Sequence, residues 1–404
     1  MRPHDLLDLF DFFKIELASK QNKLPLALFI RPNLESATLL THLKPIENWQ
    51  YQPSKGDKNF FFVGDFEQTG TILEAQNTYK LNLKDQTYAP NARHSFSEIS
   101  LDQWSIKLKT TAEEYTSMLE NAIEAMDKYQ LRKIVLSQEC EVTFHNLNNL
   151  NLIHYLISAS YEFITQKKTK REPLNFYICF YYDKSNEKFI FSCTPETLLS
   201  INDNQIETMS LAGTSGSFLE NELHIDLQND SKIISEHLIV EQEIENKLLT
   251  FCNKIHSGAL ELSPHLHLKH RKKIHRGELQ QNYNNYTLQQ LFDLIKFMHP
   301  TSAVAGIPSN KSQELISALE KNKRQHYAAP FGIITPCFMD LAVMLRCGII
   351  NNGKVTLRAG GGVLKNSNIQ VEWSESILKM CSALSLFFPS QEKKLAQKIM
   401  ELLK

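Results

Sequence analysis

The 404-residue chain carries almost no net charge, −1 in all. A chain so balanced has no global pull towards nucleic acid or an anionic membrane surface. No apolar run approaches the length of a membrane span, so no membrane partner is expected. A secretory leader is not expected either, because the opening MRPHDLLDLFDFFKIE is too acidic for one. The seven cysteines, Cys140, Cys179, Cys193, Cys252, Cys337, Cys347 and Cys381, form no CxxC pair. An odd, scattered set reads as reduced thiols, and the expected location is the cytoplasm. No repeat and no Gly/Ser-rich linker divides the chain. By length alone two or three domains are expected, but single α/β domains of this size exist.

What is present reads as mixed strands and helices. Residues 1–110 combine short apolar runs such as LPLALFI and NFFFVGDF with polar turns, and imply strands after one opening helix. Residues 112–130 carry apolar residues at helical spacing with acids early. KIVLSQECEVTF reads as a strand, NLIHYLISASYEFI as a helix, and NFYICFYY and KFIFSC as two strands. Residues 231–255 read as one long helix, and FGIITP, LAVMLRCGII and KVTLRAG as consecutive strands. The closing helix begins near Glu372, and KKLAQKIMELLK forms a basic amphipathic end. The irregular alternation, often in hairpin-like pairs, favours an α/β (α+β) fold of large mixed sheets covered by helices over a doubly wound parallel sheet. The basic run HLHLKHRKKIHR, 265–276, lacks interleaved aromatics for base stacking. It reads as a solvated strand or loop, and no nucleic-acid partner is expected.

Two carboxylate clusters stand out. One is Glu236, followed by His237, in the helical SEHLIVEQEIENKLL; the other is EWSESILK, with Glu372, Glu375 and Lys379. Spacings of three and four put the last three residues on one helix face. Just before them, Gly360 to Gly362 in AGGGVLKNS offer a bare loop whose backbone could approach an anion. Acids, a lysine and glycines together suit a magnesium ion holding an organic acid. A capped, solvated helix start after a turn accounts for the same residues.

The motifs in order are KIVLSQ from Lys133, FSCTPETLL around Glu196, LAGT from Leu211, SEH at Ser235–His237 and MHPTSAVAGIP from Met298. RQHYAAPFG from Arg324, LRCG around Arg346, AGGGVLKNS and EWSESILK complete the set. This series resembles the chorismate-utilising enzymes, which make isochorismate, salicylate, anthranilate and aminodeoxychorismate. The resemblance covers 105–387, leaving 1–104 as a variable N-terminal part and 388–404 as a tail. It implies a single domain over 1–404, in which two large antiparallel-rich β-sheets pack face to face with helices outside, chorismate as substrate, and Mg²⁺.

By that resemblance Lys133 is the general base that activates water, a role that requires its pKa to fall well below the usual lysine value. Glu196 is the general acid and must keep its proton near neutral pH. Read locally, Lys133 is a strand-end lysine and Glu196 a helix N-terminal acid after Pro195. Ala212 stands where many aminodeoxychorismate synthases have a nucleophilic lysine. Ala212, Gly213 and Thr214 form a substrate-binding stretch in which Thr214 adds a hydroxyl. Arg346, in an apolar strand, needs an anionic partner, and the resemblance makes it a bidentate carboxylate binder. His299, Tyr327, Gly360, Gly362 and Lys379 match the other ligand-binding positions. Glu236 and Glu375 match the metal ligands, with Glu372 on metal-bound water.

The sequence departs from the family pattern at Gln138, Thr194, Ile233, Lys273, Ser302 and Ala329. The activity expected is Mg²⁺-dependent isomerisation of chorismate to isochorismate, without an obligatory glutaminase subunit. Salicylate synthesis is the nearest alternative, and an ammonia-dependent anthranilate or aminodeoxychorismate synthase component the next. A chorismate-binding scaffold without activity would lack the groups that Lys133, Glu196, Glu236 and Glu375 supply.

Overall fold

Short runs rich in aromatic and β-branched residues turn most of this chain into strands, and capped amphipathic segments supply the helices. The computed structural model describes residues 3–19, 23–67, 70–83, 99–100, 103–216, 226–265 and 268–391, with Leu395 and Lys398. The N-terminal part forms α1 (Leu6–Ala18), β1 (Leu26–Ile30), β2 (Ser36–Pro45), β3 (Phe60–Gly64), β4 (Gly70–Asn82) and β5 (Trp104–Leu108). Next come α2 (Ala112–Tyr129), β6 (Lys133–Phe144), α3 (Asn149–Thr169), β7 (Tyr177–Asp183), β8 (Lys188–Thr194), β9 (Thr197–Asn202) and β10 (Gln205–Gly216). They are followed by α4 (Ser231–Leu249), β11 (Cys252–Ser257), β12 (Glu261–His265), β13 (Leu268–Leu279), α5 (Leu288–Met298), β14 (Gly306–Ile307) and α6 (Ser309–Leu319). The last elements are β15 (Pro330–Ile334), β16 (Phe338–Val343), β17 (Cys347–Asn351), β18 (Lys354–Val363) and α7 (Ile369–Leu384).

Every strand pairing among the described residues is antiparallel. The ladder runs β6–β18–β17–β8–β7–β1–β2 and continues through β4 to β3–β15–β16–β9–β10–β13. β5 and β14 extend it beyond β6, and β11 and β12 beyond β13. The two large sheets are thus halves of one hydrogen-bonded network, joined where β2 pairs with β4. Their faces meet in an aromatic core. Phe29 of β1 meets Phe331 of β15 at 6.0 Å, and Phe61 of β3 stacks on Tyr181 of β7 at 5.6 Å. Outside, α1 lays Phe10 and Phe13 on Phe180 of β7. Trp373 of α7 packs on Tyr115 of α2.

Several local expectations change. The helix expected over 231–255 ends at Leu249, and Cys252–Ser257 pair with β13 instead. There, ladder hydrogen bonds override local helix preference. LAVMLRCGII is two strands, because the chain breaks at Met344–Arg346 and Arg346 takes a left-handed φ of 48°. Pro195 and Glu196 form a joint between β8 and β9, not a helix start. Gly360 to Gly362 lie inside β18, paired with Ser137 to Val135 of β6, and are not a loop. The basic run becomes β13 and its lead-in. Lys272, Lys273 and Arg276 pair there with Glu261, Glu241 and Glu207, while Leu266 and His267 lie outside the described residues. So does the amphipathic end, apart from Leu395 and Lys398.

Candidate active site

Two capped helices deliver the acids. Asp230 caps α4 by accepting from Ile233 N at 2.9 Å, which sets the phase that turns Glu236 inward. Asn368 caps α7 by accepting from Val371 N at 3.1 Å. The next turns of α7 aim Glu372, Glu375 and Lys379 at β18. The glycines of β18 leave room for them. A Cβ on Gly361 would stand 3.1 Å from Glu372 Oε2 and 3.7 Å from Glu375 Oε1. A Cβ on Gly362 would overlap Glu236 Oε1 and lie 2.7 Å from Lys133 Cε. The strand therefore gives up side chains where the acids and the lysine converge.

Ammonium groups hold the cluster. Lys133 Nζ lies 3.2 Å from Glu236 Oε1, and Lys232 Nζ 3.1 Å from Glu236 Oε2 and 2.9 Å from Glu372 Oε1. Lys379 pairs with Glu375 and donates to Gly360 O at 3.1 Å. Burial pushes Lys133 below the usual lysine value; Glu236 opposes the fall, and Lys232 and Lys379 add to it. Burial pushes Glu236 up, but Lys232, Lys133 and Lys379 together outweigh it and hold the carboxyl at about 2. Glu372 goes the other way, pushed to about 7 by burial and by Glu375 and Glu236, against the pull of Lys232.

Beside the cluster lies a cavity. It is lined by Glu196, the stretch Leu211 to Thr214, Glu236, His270, Tyr327, Arg346, Ala359 to Gly362 and Lys379, among others. Burial pushes the Glu196 carboxyl to about 7, against Lys133, Lys379 and Arg346. Its backbone NH donates to Thr194 Oγ1 at 3.3 Å. Arg346, strained into the left-handed region, donates to His270 Nε2 at 2.9 Å and to Ser382 Oγ at 3.2 Å. His270 sits opposite Thr214 across the β10–β13 ladder, with Thr214 Oγ1 3.2 Å from its Nδ1. Burial and Arg346 keep this imidazole neutral, so Nε2 can accept from the guanidinium while Nδ1 donates to the hydroxyl. Gly213 adopts a φ of +77° and lies under Ile233, whose Cγ2 would be 2.6 Å from an added Cβ. Arg324 braces the wall, donating to Val135 O at 2.6 Å and to Val304 O at 2.7 Å while paired with Glu320.

The structure brings together Lys133, Glu196, Ala212, Gly213, Thr214, Glu236, Tyr327, Arg346, Gly360, Gly362, Glu372, Glu375 and Lys379 in or beside this cavity. It does not bring in His299. His299 is the C-cap of α5, its backbone NH donating to Ile295 O, and its ring packs edge-on against Phe66 at 6.2 Å; Ala303 and Val304 of the same motif line the cavity instead. Among the departures, Gln138 bonds to Ser376, Lys273 pairs with Glu241, and Ser302 N donates to Glu243 Oε2. Ala329 is buried in the turn before β15. Two residues were missed in the sequence. Lys232 lies one helical turn before Glu236, a spacing that signals an ion pair. His270 was hidden among the basic residues of its own strand.

The buried acids suit a divalent cation. Glu372 Oε2 is buried with no hydrogen-bond partner among the described residues. Glu236, Glu372 and Glu375 are oxygen donors of the kind magnesium takes. They do not form a preformed ligand set among the described residues, because lysines stand between them.

A family profile described as chorismate binding enzyme matches residues 48–387. The chain belongs to that family. This chorismate-binding enzyme is 25% identical over 344 residues to the isochorismate synthase MenF of Haemophilus influenzae, an alignment covering 83% of this chain and 72% of that protein. It is also 25% identical over 296 residues to anthranilate synthase component 1 of Aquifex aeolicus, covering 70% of this chain but only 55% of the relative. Its fold matches the menaquinone-specific isochorismate synthase MenF from Escherichia coli with a TM-score of 0.72 at 17% identity, over 96% of this chain and 93% of that one.

Proposed function

We propose that this chorismate-binding enzyme is an isochorismate synthase. It adds water at carbon 2 of chorismate and expels the carbon 4 hydroxyl. The observation that carries the reading is the pair of groups displaced towards their opposite protonation states: Lys133 pushed down by burial, and Glu196 pushed up to about 7. The first shift favours the neutral amine that a general base needs, and the second the protonated carboxyl that a general acid needs. Ala212 in the cavity wall removes the alternative of a nucleophilic lysine at that position.

Lys133 takes a proton from the water that forms the new bond at carbon 2. The ring double bonds shift. As the bond from carbon 4 to its oxygen breaks, Glu196 gives its proton to the departing hydroxyl, so protons and electrons balance. Arg346 grips a substrate carboxylate with its planar fork. The neutral His270 keeps that fork in place, and Tyr327 and the β18 glycines bound the ring pocket. Glu236 and Glu375 would hold Mg²⁺, with Glu372 beside them. When bound, the ion neutralises and orients a substrate carboxylate.

The test is incubation with chorismate and Mg²⁺ in the absence of ammonia, followed by chromatographic identification of the product. Isochorismate is expected. Salicylate with pyruvate as the main products would replace this reading by salicylate synthesis. A strict need for ammonia would refute both.

A further inference from the structure

We propose that Lys232 is an exchangeable counter-ion of the carboxylate cluster, holding Glu236 and Glu372 until a divalent cation enters, then releasing them and turning to solvent. The inference rests on the reading that these acids bind Mg²⁺.

Both oxygens of Glu236 are committed to ammonium groups, Oε1 to Lys133 at 3.2 Å and Oε2 to Lys232 at 3.1 Å. The same Lys232 Nζ holds Glu372 Oε1 at 2.9 Å and Gly362 O at 2.9 Å. It therefore spans the two helices and the glycine strand, as a cation bound there must. Magnesium bonds carboxylate oxygens directly. A dication on either Glu236 oxygen would stand close to a lysine of like charge, and that repulsion favours withdrawal of one lysine.

The two lysines differ in their freedom to do so. Lys133 begins a central strand and its side chain is 1% exposed. The side chain of Lys232 is 15% exposed and stands in the first turn of α4. A flexible four-carbon stem lets an ammonium at such a place swing to water. Glu372 Oε2, buried and without a partner among the described residues, shows that Lys232 satisfies the cluster only in part. A dication can use the oxygens that one ammonium leaves unmatched.

Lys232 thus competes with the metal. The free protein should bind Mg²⁺ weakly, and an anionic substrate that supplies further oxygens should tip the exchange. A lysine that merely braced the fold would stay in place when metal binds.

The test is calorimetric titration of Mg²⁺ into the wild type and Lys232→Met, without substrate. The variant should bind Mg²⁺ about tenfold more tightly or better, within the usual range of coupling between sites. Equal or weaker binding by a folded variant overturns the proposal. A second measurement uses unaltered protein and so does not depend on the variant folding. Brief acetylation with an amine-reactive ester, read by peptide mass spectrometry, should label Lys232 several-fold more with saturating Mg²⁺ than without it. Lys133 should stay protected, and the exposed Lys365 should not change. Unchanged or reduced labelling of Lys232 also overturns it. If neither protein binds Mg²⁺ even with chorismate present, the metal reading itself fails and the proposal falls with it. Normal Mg²⁺-dependent turnover with unchanged Lys232 labelling would sink the exchange alone.

Discussion

Replacing Glu196 with glutamine should stabilise this protein while disabling it, and the stabilisation should depend on pH. The Glu196 carboxyl is 3% exposed and burial lifts its pKa from 4.5 to about 7. In the unfolded chain it returns to its ordinary value. Between these limits the folded protein keeps a proton that the unfolded chain has lost, so stability falls as pH rises. The gap corresponds to about 3 kcal/mol once pH exceeds 7, at about 1.4 kcal/mol for each tenfold change in proton affinity. Glutamine has nearly the same size and never ionises. At pH 8 Glu196→Gln should exceed the wild type by up to about 3 kcal/mol, and at pH 5 by less than about 1 kcal/mol. Urea unfolding of both proteins at the two pH values measures the double difference, in which all other titrating groups cancel. The same variant should lose about 10²-fold in turnover, the usual scale for removing a general acid. A stability difference equal at pH 5 and pH 8 would refute the claim that burial holds this proton.

Lys133→Gln keeps approximate length but cannot accept a proton, so turnover should fall about 10²-fold with substrate affinity little changed; near wild-type rates in a folded, Mg²⁺-binding variant would remove Lys133 from the mechanism. Since no variant can move the equilibrium ratio, each should lose kcat/KM by the same factor from chorismate and from isochorismate, and unequal losses would mean that the residual rate comes from another activity. Gly362→Ala should abolish turnover by displacing Glu236 and Lys133 Cε, whereas Gly258→Ala, whose Cβ would stand an ordinary 3.5 Å from Ile274 O, should be neutral; equal activities would show that the glycine clearance does not matter. Arg346→Gln should raise KM more than it lowers kcat, since a carboxylate grip acts in ground and transition states alike, and an unchanged KM would point to a structural role for Arg346.

The sequence carried the members of the site better than their local conformations. Glu372, Glu375 and Lys379 were legible from their helical spacing, and Lys133 from the family resemblance, and all four gather at the cluster. Backbone setting was not legible. Gly360 to Gly362 read in sequence as a bare loop open to an anion, yet extended pairing with β6 makes them a strand with missing side chains. That pairing joins residues more than two hundred positions apart, which no local signal encodes. Arg346 looked like a strand residue because its neighbours are apolar, while the turn that aims it comes from the separate pairings of β16 and β17. His270 was masked by the basic residues around it, and only its register opposite Thr214 turns it inward. His299 was drawn in by its motif, yet Ala303 and Val304 of that motif line the wall.

Charge explains why the cluster takes this form. Glu236, Glu372 and Glu375 are matched by Lys133, Lys232 and Lys379, three acids against three lysines. A buried cluster holds a large unbalanced charge only at a high desolvation cost. Under the proposed function a dication would bring positive charge and chorismate two carboxylates, so each would lower the electrostatic cost of the other, and by linkage the benefit would be reciprocal. The same balance serves the chemistry. Lys133 is pushed towards neutrality first by burial and then by the like charge of Lys232 and Lys379, and Glu236 remains ionised because the three lysines outweigh its burial. A change that removes one charge from the six should therefore shift the proton affinity of Lys133 and, if Mg²⁺ binds as proposed, its occupancy together.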